Sequence, residues 1–164
     1  MEAEIISTWI SFLRASIPEN TPIVRQEALV GTGAVRPELP FISFKLINGP
    51  DDIMSKDNFI YMNNSFQQDT VKKFTISIQG YGREAMDIIN GIRFETQKSD
   101  NIDQLRDGAG VSITNRGTAT DVSVERETGY DRRVSLDIDF IVGLTIPVNY
   151  ETIETVKVDQ IHAS

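Results

Sequence analysis

Val134-Ser135-Leu136-Asp137-Ile138-Asp139-Phe140-Ile141-Val142-Gly143-Leu144-Thr145-Ile146 is the stretch whose reading decides the fold. Val134, Leu136, Ile138, Phe140, Val142, Leu144 and Ile146 take every second position, with Ser135, Asp137, Asp139 and Thr145 between them. Side chains alternate across a strand, so this is a strand with one apolar face on a core and one polar face turned outward. A sheet wet on one side points to antiparallel pairing, because parallel sheets are covered on both faces. Pro147 supplies no ladder donor and is expected to stop the strand.

Outward from this strand the same logic repeats. Over 71–81, Phe74, Ile76 and Ile78 point inward against Lys73, Thr75, Ser77 and Gln79. Gly80 and Gly82 then let the chain turn into a helix with Ala85, Ile88, Ile89 and Ile92 as its buried stripe. Gly91 inside that helix costs about 1 kcal/mol against alanine and predicts close backbone packing or a frayed end. Over 41–47, Ile42, Phe44 and Leu46 oppose Ser43 and Lys45. At the start, Ile5, Ile6, Trp9, Phe12, Leu13 and Ile17 recur at helical spacing, which predicts a helix over 2–17 ended by Pro18, with Trp9 as a core anchor.

The remaining elements are shorter. A strand is expected over 22–27, a helix from an N-cap at Ser99 through Leu105, strands over 111–115 and 121–127, and a C-terminal edge strand over 151–158. Residues 28–40 and 49–69 are rich in turn formers and read as mobile loops, the second carrying a short edge strand at Phe59–Met62. The order shows no regular βαβ alternation. It gives an α+β fold: a mostly antiparallel sheet with helices packed on one face, in a single domain spanning 1–164.

Composition excludes several function classes. The 164 residues carry 24 Asp+Glu against 16 Lys+Arg, a net charge of −8, which opposes general nucleic-acid binding. Hydrophobic residues make up 40%, enough for a core, and a chain this long buries roughly 70% of its extended surface without staples. Zero cysteines remove disulfides, thiolate zinc sites and cysteine nucleophiles. One histidine excludes a multi-histidine metal centre. No stretch approaches the roughly 20 apolar residues of a membrane span, and the acidic start MEAEIISTWI lacks the basic flank of a secretory signal. The expectation is a protein made and kept in a cytosol-like compartment, where the acceptor pattern Asn63-Asn64-Ser65 is a chance match. Gly31 and Gly33 form a lone G-x-G with Pro37 where a helix should run, so no phosphate cradle is expected there.

Chemistry-bearing clusters are few. Asp137 and Asp139 share a strand face, and with Glu125 they could hold a hard divalent cation through carboxylate oxygens. The competing reading is a solvated acidic face paired across strands with Lys72 or Lys73. His162 lies three residues from the C-terminus, too loosely placed to serve as a general base. Arg126, Arg132 and Arg133 flank a turn at Gly129-Tyr130 and read either as a carboxylate-binding contact patch or as solvated charges at a hairpin tip. The edge over 151–158, with Glu151, Ile153, Thr155 and Lys157, offers unpaired backbone groups that another copy can complete.

The order of the motifs Arg36-Pro37-Glu38-Leu39-Pro40-Phe41-Ile42, Phe74-Thr75-Ile76-Ser77-Ile78-Gln79-Gly80-Tyr81-Gly82, Tyr130-Asp131-Arg132-Arg133-Val134-Ser135-Leu136-Asp137-Ile138-Asp139-Phe140 and Tyr150-Glu151-Thr152-Ile153-Glu154-Thr155-Val156-Lys157-Val158 resembles the neck or tail-terminator proteins of tailed bacteriophages, especially contractile-tailed ones. The likeness covers residues 20–158. It departs from the family pattern near Tyr130, where the family has Trp, and at Asp131, where it has Glu. The resemblance implies a structural virion protein, not an enzyme, with no cofactor. It implies a ring, a hexamer, at the head-proximal end of the tail tube, assembled in the host bacterial cytoplasm. The partners implied are other copies of itself, the tail tube protein, the head-tail connector and the sheath, with DNA passing through the lumen without specific binding and no membrane involved. Tyr130, Arg132, Arg133, Glu151, Ile153, Thr155 and Lys157 are the interface candidates. Two readings compete: a different connector or baseplate protein, and a small metal-dependent hydrolase using Asp137, Asp139 and Glu125.

Overall fold

Two long strands form the centre of the molecule. In the computed structural model, which describes residues 2–31, 33–62, 65–127 and 129–148, with the backbone alone for 48–62, 65–70 and 144–148, strand β2 (Phe41–Met62) pairs antiparallel with β3 (Ser65–Tyr81). The deciding stretch is β8 (Arg133–Val148), antiparallel to β3 along its whole length. A short β1 (Ile23–Arg25) joins the other edge of β2 in parallel, and β4 (Val111–Asn115) and β5 (Thr120–Asp121) join β8 antiparallel. A separate ribbon pairs β6 (Val124–Arg126) with β7 (Gly129–Asp131). The α+β expectation holds, with one parallel pair making the sheet mixed.

Burial follows the sequence alternation. Phe74, Ile76 and Ile78 of β3, Ile42 and Phe44 of β2, and Val134, Leu136, Ile138, Phe140 and Val142 of β8 are all buried in one cluster. Helix α1 (Glu2–Ser16) adds Ile5, Trp9, Phe12 and Leu13, and α2 (Ala85–Glu95) adds Ala85, Ile88, Ile89 and Ile92. Trp9 is the anchor expected of it: its ring lies 5.3 Å from Phe140 and 5.6 Å, edge-on, from Phe12. Phe140 stacks in turn on Phe74 at 5.6 Å. Aromatic pairs at such spacings contribute about 0.5–1.5 kcal/mol beyond the area they bury. A Cβ at Gly80 would sit 2.9 Å from Ile89 Cγ1 and 3.3 Å from the Ala85 carbonyl, so the glycine is what lets α2 lie close on β3.

Several expectations are corrected. The stretch over 49–69 is not a pair of loops around a short edge strand: it forms the outer halves of β2 and β3, which pair from Asn58↔Asp69 to Met62↔Ser65 with register shifts between Asn48/Asp52 and Ile53/Asn58. Backbone pairing there overrides a polar sequence that carries no alternation. β8 runs through Pro147 to Val148. β4 reaches only Asp139–Val142, so among the described strands Pro147 is paired on one side, a place where a missing donor is tolerated. Ser99 is the first residue of α3 (Ser99–Ala109), not its N-cap, which is Lys98, and the helix continues to Gly110 at φ 66°. Nothing lies within 4 Å of where a Cβ at Gly91 would stand, so the close packing expected for that glycine is not found. Residues 28–40 open on a 3-10 turn at Gln26–Leu29. The expected edge strand over 151–158 lies outside the described residues.

Candidate functional site

The register of the sheet builds the site. Phe41 stands opposite Tyr81, and Tyr81 opposite Arg133. Directly opposed residues share a face, so these three form one row on the outer face, away from the core. Phe41 and Tyr81 stack with centroids 4.4 Å apart and planes 10° from parallel. On the polar side of the sheet both rings are nonetheless buried, with Gln26, Leu29, Val30 and Arg36 gathered beside Tyr81. Arg36 brings its guanidinium carbon to 5.4 Å from the Tyr81 ring centroid and 5.8 Å from that of Phe41, while Arg133 lies 4.8 Å over Tyr81. A guanidinium over an aromatic face is attracted by about 0.5–2 kcal/mol, more when water is excluded.

One carboxylate organises the cations. Asp131 Oδ2 accepts from Arg133 Nη2 at 3.3 Å and stands 3.5 Å from Arg126 Nη2 and 3.7 Å from Arg36 Nη2. Only 15% of the Asp131 side chain is exposed. Three guanidinium groups thus surround a single carboxylate, leaving a local excess of positive charge in a chain of net charge −8. The arginines, with Gln26, Leu29, Val30, Gln79 and Tyr81, line a hollow of about 410 Å³. Two buried donors at this hollow, Arg133 Nε and Gln26 Nε2, have no partner among the described residues. Tyr81 donates to Gln79 Oε1 at 2.9 Å, which fixes the floor. Around the site Val30, Leu39 and Tyr130 are exposed by 80%, 64% and 63%.

The turn that carries Asp131 is held from behind. Asp121 accepts from the Ser123 amide at 2.9 Å and from its hydroxyl, and Ser123 Oγ accepts from the Arg133 amide at 3.0 Å. Those bonds from Ser123, reinforced by the charge of Arg132, hold the Asp121 carboxyl below its ordinary range. Arg93 donates to the Gly117 carbonyl at 2.7 Å, and Arg116 donates through Nη2 to the Thr96 carbonyl at 2.9 Å, so the loop between β4 and β5 is tied to the C-terminal end of α2. Glu95, beside that end, is bonded by Lys98 at 2.6 Å and by Asn101 at 2.9 Å, and both bonds lower its pKa.

Of the residues singled out from sequence, Arg126 and Arg133 do converge, on Asp131. Arg132 points elsewhere, into a neighbouring hollow of about 360 Å³ with Leu39, Arg83 and Tyr130. Arg36, Tyr81, Asp131 and Gln26 were not identified as site residues. Arg36 comes from a segment some 90 residues distant, and Asp131 was hidden inside a basic run. The metal constellation does not assemble. Asp139 accepts from Thr75 Oγ1 at 2.6 Å, Asp137 is exposed opposite Ser77, and Glu125 lies in the separate ribbon opposite Tyr130. Among the described residues there is no group of three metal-ligating side chains, and no helix is long and apolar enough to cross a membrane. Glu151, Ile153, Thr155 and Lys157 lie outside the described residues.

No curated protein matches the chain. The family model described as phage neck terminator protein matches residues 4–164, almost the whole length, and the chain therefore belongs to that family, structural proteins of the bacteriophage neck that work in contact with other head and tail proteins.

Proposed function

We propose that copies of this chain close into a ring, a hexamer, that caps the head-proximal end of the tail tube and joins it to the head connector. The observation that supports this most is the arginine-centred hollow with its exposed apolar surround. Arginine and tyrosine are the residues protein interfaces favour at their centres, and a cationic island on an acidic subunit is a contact for another protein's acids. Open strand edges add to it: β1 covers β2 only at Ile42–Phe44, and beyond that point no described strand pairs that side of β2. The edge over 151–158, with Glu151, Ile153, Thr155 and Lys157, is the second contact in the same proposal, beside the turn of Tyr130, Arg132 and Arg133.

A cap must accept the tube on one side and refuse a further tube ring on the other, so its two faces differ. Head-to-tail contacts between identical subunits produce such a ring when the rotation closes. Its role is mechanical and calls for neither catalysis nor a cofactor. The sheath and the connector meet its outer and upper surfaces, and DNA crosses an acidic lumen that repels phosphate. Assembly takes place in the host bacterial cytoplasm. The test is tube polymerisation with and without the purified protein. Tubes of uniform length, decorated at one end, are expected. Tubes that keep growing past their normal length with bare ends overturn the proposal.

A further inference from the structure

A second concave surface of the molecule has the opposite sign to the arginine hollow. Between the C-terminal end of α1 and the N-terminal half of α2 lies a groove of about 640 Å³ with a mostly apolar floor that includes Ile88 and Pro40. Glu19, Glu38, Glu84 and Asp87 line it, no basic side chain does, and none of the four forms an ion pair among the described residues. The open side of Gly91 faces this groove.

The arginine hollow is the half that asks for a ligand. Three guanidinium groups share one aspartate oxygen there, and the buried Nε of Arg133 and Nε2 of Gln26 lack acceptors. Arg36 and Arg126 keep 45% and 56% of their side chains exposed beside that shared aspartate, so an entering carboxylate is favoured by both charge and charge-assisted hydrogen bonding. Its flanks, Val30 and Leu29, are apolar, which suits a protein surface. A nucleic-acid backbone is a poorer fit, since it needs an extended basic track and the subunit as a whole is acidic.

We propose that the arginine hollow of one copy is filled by the acidic groove of the next, with carboxylates of Glu84 and Asp87 completing the arginine cluster. The hollow lies on the outer sheet face, with Gln79 and Tyr81, and the groove on the helix face, with Ser16 and Ile88. A copy that presents its groove to a neighbour keeps its own hollow free for a third. The contact is therefore heterologous, the kind that propagates until it closes. It rests on the ring reading above and supplies the surfaces that reading left unassigned.

The experiment is sedimentation velocity of the full chain and of two variants across a concentration series at low and high salt. One carries Arg36→Glu and Arg126→Glu, both at exposed guanidinium groups. The other carries Glu84→Gln and Asp87→Asn, both exposed. Wild-type protein is expected to form species beyond the dimer, weakened by salt. Each variant alone should lose self-association by about tenfold or more. An equimolar mixture retains one intact hollow and one intact groove, so it should pair and stop at the dimer. Circular dichroism establishes that both variants are folded; if one is not, Arg126→Gln and Glu84→Gln replace them. Wild-type oligomers that survive both sets of substitutions overturn the surfaces proposed here and leave the ring reading standing. Wild-type protein that stays monomeric both alone and on tail tubes overturns both, and wild-type protein that stops at a dimer overturns the head-to-tail contact.

Discussion

Replacing Gly117 with alanine tests how the sheet is closed between β4 and β5. Pairing of β4 with β8 ends at Asn115↔Asp139, and pairing of β5 begins at Thr120↔Ser135, so 116–119 bridges a gap beside residues 136–138 of β8. A Cβ on Gly117 would collide with the Asp137 carbonyl oxygen, far inside ordinary contact of about 3.5 Å. The obstacle is backbone of a strand paired along its other side to β3, so the loop must withdraw. Withdrawal strains the 2.7 Å bond from Arg93 to the Gly117 carbonyl and loosens Arg116 on Thr96. Overpacking costs about 1–3 kcal/mol, and a weakened charged hydrogen bond adds about 1–2 kcal/mol. The loop is part-exposed and yields somewhat, which puts the total near 2–4 kcal/mol, a fall in Tm of about 4–16 °C for a domain of this size. Gly91→Ala is the control of opposite sign: nothing lies within 4 Å of the added carbon, and the helix should gain about 0.4–1 kcal/mol. Urea denaturation followed by Trp9 fluorescence, at one low protein concentration so that association does not contribute, reads both. A Gly117→Ala protein within 0.5 kcal/mol of wild type would refute the placement of the loop against β8 (the threshold is the usual spread of neutral surface changes, about 0.5 kcal/mol).

Trp9→Ala should destabilise by about 3–5 kcal/mol, because the side chain is fully buried between Phe12 and Phe140; thermal unfolding by circular dichroism checks it. Glu95 and Asp121 have lowered pKa values in the folded chain, so their bonds contribute stability above the ordinary carboxylate values of 4.5 and 3.8 and lose it as pH falls through the folded values. Carbon-detected titration by NMR should place Glu95 below ordinary glutamate, and Lys98→Met should move it back up. Removing residues from Glu151 onward should leave a folded or partly folded subunit that no longer caps, seen as overlong tubes in micrographs. Reversing Arg132 and Arg133 to glutamate should weaken capping, with a salt dependence lower than that of wild type.

Much of the body was legible because its elements bury one face each. The alternation over 134–142, the stripe from Ile5 to Leu13 and the entry of 74–78 into α2 through Gly80 all report contact with one core, and each residue pattern was read as it stands in the fold; the side chains of Leu144 and Ile146 lie outside the described ones. The long hairpin was not legible. Asp51, Asp52, Lys56, Asp57, Asn63 and Asn64 give it no apolar face, and without a buried face nothing in the sequence announces a strand. Backbone pairing holds it instead: the outer half of β3 pairs with β8 on one side and with β2 on the other. The arginine site shows the same limit in another form. Its row of Phe41, Tyr81 and Arg133 is set by register between three strands, and Arg36 arrives from a distant segment. Local sequence reveals a basic turn at Arg132 and Arg133, but not that Asp131 beside them gathers three cations, two of them over a tyrosine ring.

Electron microscopy of tail tubes assembled with the gold-labelled protein tests the central claim most directly. The account predicts label at one end of each tube, in a closed ring coaxial with the lumen, and tubes that do not extend beyond it. Label scattered along the tube wall, found at both ends, or absent from tubes that go on lengthening contradicts it.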